Sequence, residues 1–281
     1  MLGKKTLSYR RLAILAIAGS SVMLVQCDRE KPELAPQEPV TTEPAPTPVI
    51  TAPTAMTREN LLSAMSRAAS SYAAGEKVEG SDPLVGRPFA IRMPFGCSGP
   101  QPEPPGPAGD GLARWSWGPE RKTIQLTLTP GDWLNTALIA GAAGGADWEA
   151  VDGFWVPRPW LGKEACSSVQ ADPLQSGEVA PSPQTVGLAA VFKADESRVG
   201  RRNGRAYTFT VRADDDTPLE APVGGYSAVV EGRLAAFPGG RAIRCRASSP
   251  DQRPVCIAAV QLDRVAFRTA AGQTLSEWRP G

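Results

Sequence analysis

The sequence predicts a mainly β fold, an antiparallel sandwich or open barrel with a C-terminal meander, preceded by one N-terminal helix. Apolar and polar residues alternate with period two from residue 85 onward, the pattern of strands with one buried face. Turn residues such as Gly118-Pro119 and Pro238-Gly239-Gly240 punctuate these runs at short intervals. A parallel α/β sheet needs repeated helical crossovers, and only residues 132–142 offer a second helix candidate.

In order along the 281 residues, the first segment reads as an address. Lys4, Lys5, Arg10 and Arg11 form a basic start, and an apolar run extends from Leu12 to Val25. That run suits a signal-peptide core and falls short of the roughly 20 residues a membrane-spanning helix needs. It ends at Leu24-Val25-Gln26-Cys27, which resembles the lipobox of bacterial lipoproteins, with a branched residue three positions before the lipidated cysteine. Gln26 stands where that family usually has Gly, Ala or Ser. The resemblance covers residues 1–27. It implies a signal peptide over 1–26, acylation of Cys27 and an envelope location facing the periplasm, with the membrane as a partner through the lipid. Cleavage after Ala16-Ile17-Ala18, releasing a soluble periplasmic protein, and an uncleaved anchor are the two alternatives.

Residues 27–56 read as a tether. Pro32, Pro36, Pro39, Pro44, Pro46, Pro48 and Pro53 alternate with Glu, Thr and Ala, a composition that favours extended polyproline conformation at about 3.1 Å per residue. A helix is expected within 57–76. Thr57 can cap it, Glu59 lies in its first turn and Gly75 stops it, with Leu61, Met65, Ala68, Ala69 and Tyr72 on one stripe.

Residues 80–281 form the predicted single β-rich domain. Phe89, Ile91, Met93 and Phe95 share a strand face. Trp115 and Trp117 are joined through Gly118-Pro119 to Ile124, Leu126 and Leu128 as a hairpin. Val186 to Lys193 is a short apolar run, and Tyr207, Phe209 and Val211 mark the cleanest half-buried strand. The meander then runs from Tyr226–Phe237 through Arg241–Ala247 and Val255–Gln261 to Val265, Phe267, Leu275 and Trp278.

Of the five cysteines, Cys97, Cys166, Cys245 and Cys256 follow the leader. Cys245 and Cys256 flank a loop between consecutive strands, so a hairpin brings them together, and Cys97 is left for Cys166. In an oxidising compartment the short loop would contribute roughly 3 kcal/mol and the long one about 4 kcal/mol by chain entropy.

The residue inventory excludes more chemistry than it indicates. Lys and Arg total 30 against 29 Asp and Glu, so the basic excess of a nucleic-acid binder is missing. Histidine is absent, which removes the commonest general base and zinc ligand. No G-x-S-x-G, C-x-x-C or phosphate-binding glycine loop occurs, so no cofactor or metal is expected.

Two surfaces stand out as binding candidates. Trp148, Phe154, Trp155, Pro157, Arg158, Pro159 and Trp160 make a stiff aromatic stretch suited to sugars or peptides, or to capping the core. Arg198, Arg201, Arg202 and Arg205 surround an Asn203-Gly204 turn, where they can hold an anionic polymer or simply solvate a loop tip. Asp214, Asp215 and Asp216 read as a turn rather than a calcium loop. The expected function is a non-enzymatic binding or structural module of the envelope. The alternative is a carboxylate-dependent hydrolase of envelope glycan drawing on Asp132, Asp147, Glu149, Asp152 and Glu164. Thiol titration of the folded, non-reduced protein should find no more than about one reactive thiol; a larger number would defeat the disulfide assignment.

Overall fold

Small apolar residues on both faces of two strands decide the centre of this molecule. In the computed structural model, which describes residues 53–76, 79–101, 109–139, 148–167, 183–195, 200–213 and 217–279, these strands are β6 (Val186–Lys193) and β10 (Val255–Thr269). They pair in parallel, with Leu188 opposite Ala258 and Ala189 opposite Ala259. Leu188, Ala190, Ala258 and Val260 point into one buried cluster, and Ala189, Val191, Ile257 and Ala259 into another on the opposite face. Continuous apolar sequence suits such a pair because neither face meets water.

The remaining elements, in chain order, are α1 (Arg58–Ala73), β1 (Pro88–Phe95), β2 (Ala113–Trp117), β3 (Thr123–Leu128), β4 (Gly131–Asp132), β5 (Trp148–Trp155), β7 (Tyr207–Arg212), β8 (Tyr226–Leu234), β9 (Ile243–Arg246) and β11 (Thr274–Trp278). The larger sheet runs β1-β8-β10-β6-β5-β4, with β9 and β11 also paired to β10, and the smaller runs β2-β3-β7. Apart from β6 with β10, the strand pairs are antiparallel. The fold is therefore mainly β and open, an arrangement of sandwich type.

An aromatic layer joins the sheets. Trp115 from the small sheet meets Tyr226 at 6.5 Å between ring centroids, and Tyr207 meets Trp278 at 5.1 Å. Phe267 contacts both Phe95 (5.8 Å) and Trp278 (5.5 Å), and edge-on geometry in several of these pairs adds to the area they bury. The predicted faces of β1 and β3 are buried, and the β2–β3 hairpin forms with Trp115 buried and Trp117 partly so.

The helix also matches its expected span. Thr57 Oγ1 accepts the Asn60 N–H while Asn60 Oδ1 accepts the Thr57 N–H, a reciprocal cap. Its packing is concentrated at Leu61, Leu62, Ala64 and Met65, whereas Tyr72 at the far end is exposed. At that end the Tyr72 hydroxyl accepts the Ala247 N–H.

Two expectations are corrected. Residues 132–142 do not form a helix over their described part: Asp132 pairs in β4, and Trp133 to Ile139 run as successive turns over the back of the large sheet. Nor do β8 and β9 pair with each other across Pro238-Gly239-Gly240. Ala259 accepts from Ala235 N–H through its carbonyl and donates its own N–H to Ala242. Because both groups of one strand residue point the same way, β8 and β9 lie end to end along one edge of β10. Residues 235–242 are an excursion that places Phe237 on the back-face cluster.

Cysteine pairing follows the sequence reading. Cys97 bonds Cys166 with 5.3 Å between Cα atoms, and Cys245 bonds Cys256 across directly opposed positions of β9 and β10 with 4.0 Å.

Trp133 lies on a floor of glycines. A Cβ at Gly153 would stand 2.0 Å from its Cδ2 and Cε2, and one at Gly187 2.6 Å from its Cη2. Overpacking of this kind costs about 1–3 kcal/mol, so Gly153→Ala should lower the urea midpoint accordingly. Gly239→Ala, with no atom within 4 Å of the added carbon, is the control and should leave it nearly unchanged. Equal midpoints for the two variants would refute this packing.

Candidate functional site

Beyond the end of β5 the chain turns at Pro157-Arg158-Pro159 and presents Trp160. What fixes this loop is a charge buried at the start of the helix. Arg58 is 1% exposed; its Nε donates to the Leu161 carbonyl (3.0 Å), and its Nη2 to the carbonyls of Pro157 (2.6 Å) and Arg158 (3.1 Å). Burial, aided by the nearby Arg158 charge and opposed by Glu164, pulls its pKa down to about 10. A cation in the first helical turn meets the unfavourable end of the helix dipole, so the carbonyl cage is what holds it there.

The same loop is stitched to the outer edge of β1. Arg158 Nη2 donates to the Pro94 carbonyl at 2.7 Å, and Glu164 Oε1 accepts the Arg92 N–H at 3.3 Å. The Cys97–Cys166 bond closes its far end. Trp160 is thus a large apolar side chain, 59% exposed, on a backbone that is held at several points. It stands on a groove of about 330 Å³ lined by Leu62, Met65 and Ala69 of α1 and by Val186 and Arg253.

The other aromatics of that stretch go elsewhere. Phe154 is in the central core. Trp148 packs on Phe237 (5.6 Å) and Trp155 on Trp133 (4.7 Å), both over the back face. Trp155 and Arg158 also border a smaller cavity of about 220 Å³ beside Gln184, whose Oε1 is buried without a partner among the described residues. Trp133, which organises this region, was not singled out from the sequence; its only sequence signal is the glycine that its ring requires at 131, 153 and 187.

The arginine loop folds back onto the protein. Arg201 Nη1 pairs with Glu149 at 3.0 Å, and its Nη2 donates to the Glu149 carbonyl at 3.2 Å. The Arg202 guanidinium lies 4.5 Å from the Tyr207 ring centroid. Arg205 is exposed, with Nε donating to the Arg202 carbonyl at 3.2 Å. Asn203 and Gly204 both have positive φ, 51° and 76°, as the predicted turn requires, although the turn connects strands of different sheets. Cys27, Asp147, Arg198 and Asp214 to Asp216 lie outside the described residues.

The carboxylates partly converge. Asp132 and Asp152 are directly opposed across β4 and β5. Asp152 is 6% exposed, and burial pushes its carboxyl up from the usual range; Asp132 reinforces this, while the Arg202 N–H (3.3 Å) and the charges of Arg201 and Arg202 oppose it. Neither residue lines any of the described cavities. Glu149 and Glu164 are committed to Arg201 and to the Arg92 N–H. Among the described residues no group of His, Cys, Asp and Glu is placed to hold a metal, and no helix is long and apolar enough to cross a membrane.

A carboxyl whose folded pKa is raised favours the fold below the ordinary Asp value of about 3.9 and loses that contribution as pH rises through the raised value. Asp152→Asn, which keeps an acceptor for the Arg202 N–H, should therefore match the parent protein in Tm near pH 4 and exceed it increasingly toward neutrality. A constant or shrinking difference across that range would contradict the burial of an ionisable Asp152.

Comparison of the chain with protein-family models, with curated proteins and with solved structures finds no match to any of the three.

Proposed function

We propose that this chain is an envelope lipoprotein whose β domain is a non-enzymatic binding module, held to a membrane by acylated Cys27 and facing the periplasm. The lipobox-like leader and proline-rich tether support the location, and the two disulfides agree with an oxidising compartment. The observation that carries the binding role is Trp160. An exposed indole on a stiff backbone loses little entropy when it is covered, so it gives much of its buried area as affinity. Its flat ring beside a groove suits a sugar ring or peptide of an envelope polymer.

The alternative, a carboxylate-dependent hydrolase of envelope glycan, draws on the Asp132–Asp152 pair, in which one acid is disposed to hold a proton and the other is exposed. It calls for a substrate cleft over the pair.

In the native host, full-length protein should fractionate with membranes and Cys27→Ser should release it. Detergent-solubilised protein should sediment with purified peptidoglycan sacculi, and Trp160→Ala should weaken that retention about tenfold or more with Tm nearly unchanged. Equal retention of the Trp160 variant, or a soluble wild type, would count against the module; release of reducing ends from sacculi, lost in Asp152→Asn, would favour the hydrolase.

A further inference from the structure

The far flank of α1 opens onto a different groove, of about 510 Å³, bounded by Arg67 and Tyr72 of the helix, by Leu84, by Arg241 and by Ile243 and Cys245 of β9. One wall of it is an unpaired strand edge. Cys256 donates its N–H to Thr185 on the β6 side of β10, so the opposed residue Cys245 makes no ladder bond to it. Alternation along the strand then turns the N–H and C=O groups of Ile243 and Cys245 away from β10. The adjoining outward groups are already capped. The Arg241 carbonyl accepts the Phe237 N–H at 2.8 Å, and the Ala247 N–H reaches the Tyr72 hydroxyl at 3.2 Å. Between those caps, two donors and two acceptors at strand spacing have no partner among the described residues.

Cations outnumber acids around this edge: Arg67, Arg241 and Arg244 line the groove with Glu76 and Asp82. No ion pair between described residues includes Arg67, Arg241 or Arg244, and Arg241 Nη2 is a buried donor with no acceptor among the described residues. Burial and the neighbouring Arg246 charge both lower the pKa of Arg244, which marks a cation without local compensation. Of the two acids on the groove, Asp82 is committed, its oxygens accepting the N–H groups of Leu84 and Ala242, each at 2.9 Å, while Glu76 is exposed at the end of the helix and joins no ion pair between described residues.

We propose that the outward edge of β9 is a docking site for an extended acidic peptide segment of a partner protein, which adds as a further strand alongside α1. A second backbone supplies both acceptors for the Ile243 and Cys245 N–H groups and donors for their carbonyls. A phosphate or a glycan carboxylate would use the guanidiniums and leave those carbonyls unmatched. Side chains at alternate positions of the added strand fall on the arginine side, where Glu or Asp supplies the acceptor that Arg241 Nη2 lacks. The site is preformed, because the Cys245–Cys256 bond and the two end caps hold the edge before anything binds. It is independent of Trp160, which lines the other groove.

The test uses full-length protein in detergent and a fluorescein-labelled octapeptide of alternating Val and Glu. Saturable binding is expected, with slowed amide exchange at Ile243 and Cys245. Affinity should fall about tenfold or more for a Val–Lys peptide, for a Val–Glu peptide N-methylated at every second residue along its bonding edge, and for Arg67→Glu/Arg244→Glu protein. Trp160→Ala should bind the peptide as the parent does. Absence of binding, unchanged exchange at Ile243 and Cys245, or equal affinity for the N-methylated peptide would overturn strand addition. The last result would reduce the site to a cationic patch.

Discussion

The parallel pairing of β6 with β10 is the constraint that the rest of the structure answers. Their ladder places Ala189, Ala190, Ala258 and Ala259 side by side, so both faces of the sheet centre are apolar and both have to be covered. On one face the cover is the small sheet and the helix. On the other it is improvised from connections: Trp133 to Ile139 between β4 and β5, and the loop carrying Phe237 between β8 and β9. The interruption of the strand along β10 follows from that need. A continuous β8–β9 strand would complete the ladder but leave Ile257 and Ala259 facing water. Small residues at the centre let the covering rings approach, and at Gly153 and Gly187 the indole of Trp133 comes closer than any side chain would allow.

A second consequence concerns the helix. Alone, α1 buries only one end, and its second half overhangs. Arg58 locks the buried end by bonding three carbonyls of the Trp160 loop, and the same loop closes the edge of β1. Helix, loop and edge strand therefore stand or fall together. Removal of the guanidinium would take this donor from the part-buried carbonyls of Pro157 and Leu161, a cost of at most about 1–3 kcal/mol per group, while the Arg158 carbonyl keeps the Leu161 N–H. Both grooves with α1 residues in their walls, one toward Trp160 and one toward β9, exist because the helix is pinned at its start and spaced from the sheet edge at its finish.

Much of this was legible where local chemistry and period agree. The Thr57 cap and Gly75 stop bound the helix, period-two alternation placed β1, β3 and β7, and the loop between Cys245 and Cys256 announced their bond. The parallel pairing was not legible. A run such as Val186 to Val191 fits the centre of a parallel or an antiparallel sheet equally well, and only the three-dimensional neighbour decides. Residues 132–142 misled because their apolar residues occur at helical spacing, while the described stretch from Trp133 to Ile139 lies on a sheet face, where no period is imposed. Pro238-Gly239-Gly240 marked a turn correctly, but a turn can end an excursion as readily as a hairpin. The aromatic stretch around Trp155 concealed three environments, since alternation along β5 sends neighbours to opposite faces and the proline turn releases Trp160 altogether.

The contrast between strand edges bears most directly on function. The outer edge of β1 is capped at four points: Met56 bonds both Pro88 and Ala90, the Glu164 carboxylate takes the Arg92 N–H, and Arg158 takes the Pro94 carbonyl. On β2 the Trp115 carbonyl accepts the Gln101 N–H at 2.7 Å. Such closure is the usual defence against unwanted strand pairing. At β9 the defence stops short, with caps at both ends of the edge, a stretch between them that is bare among the described residues, and arginines around it that outnumber the acids and form no ion pair between described residues. Those arginines repel other basic chains and screen the edge from indiscriminate pairing, while an acidic strand meets no such barrier. An edge kept open inside a selective charge field is therefore better explained as a recognition surface than as an unfinished sheet.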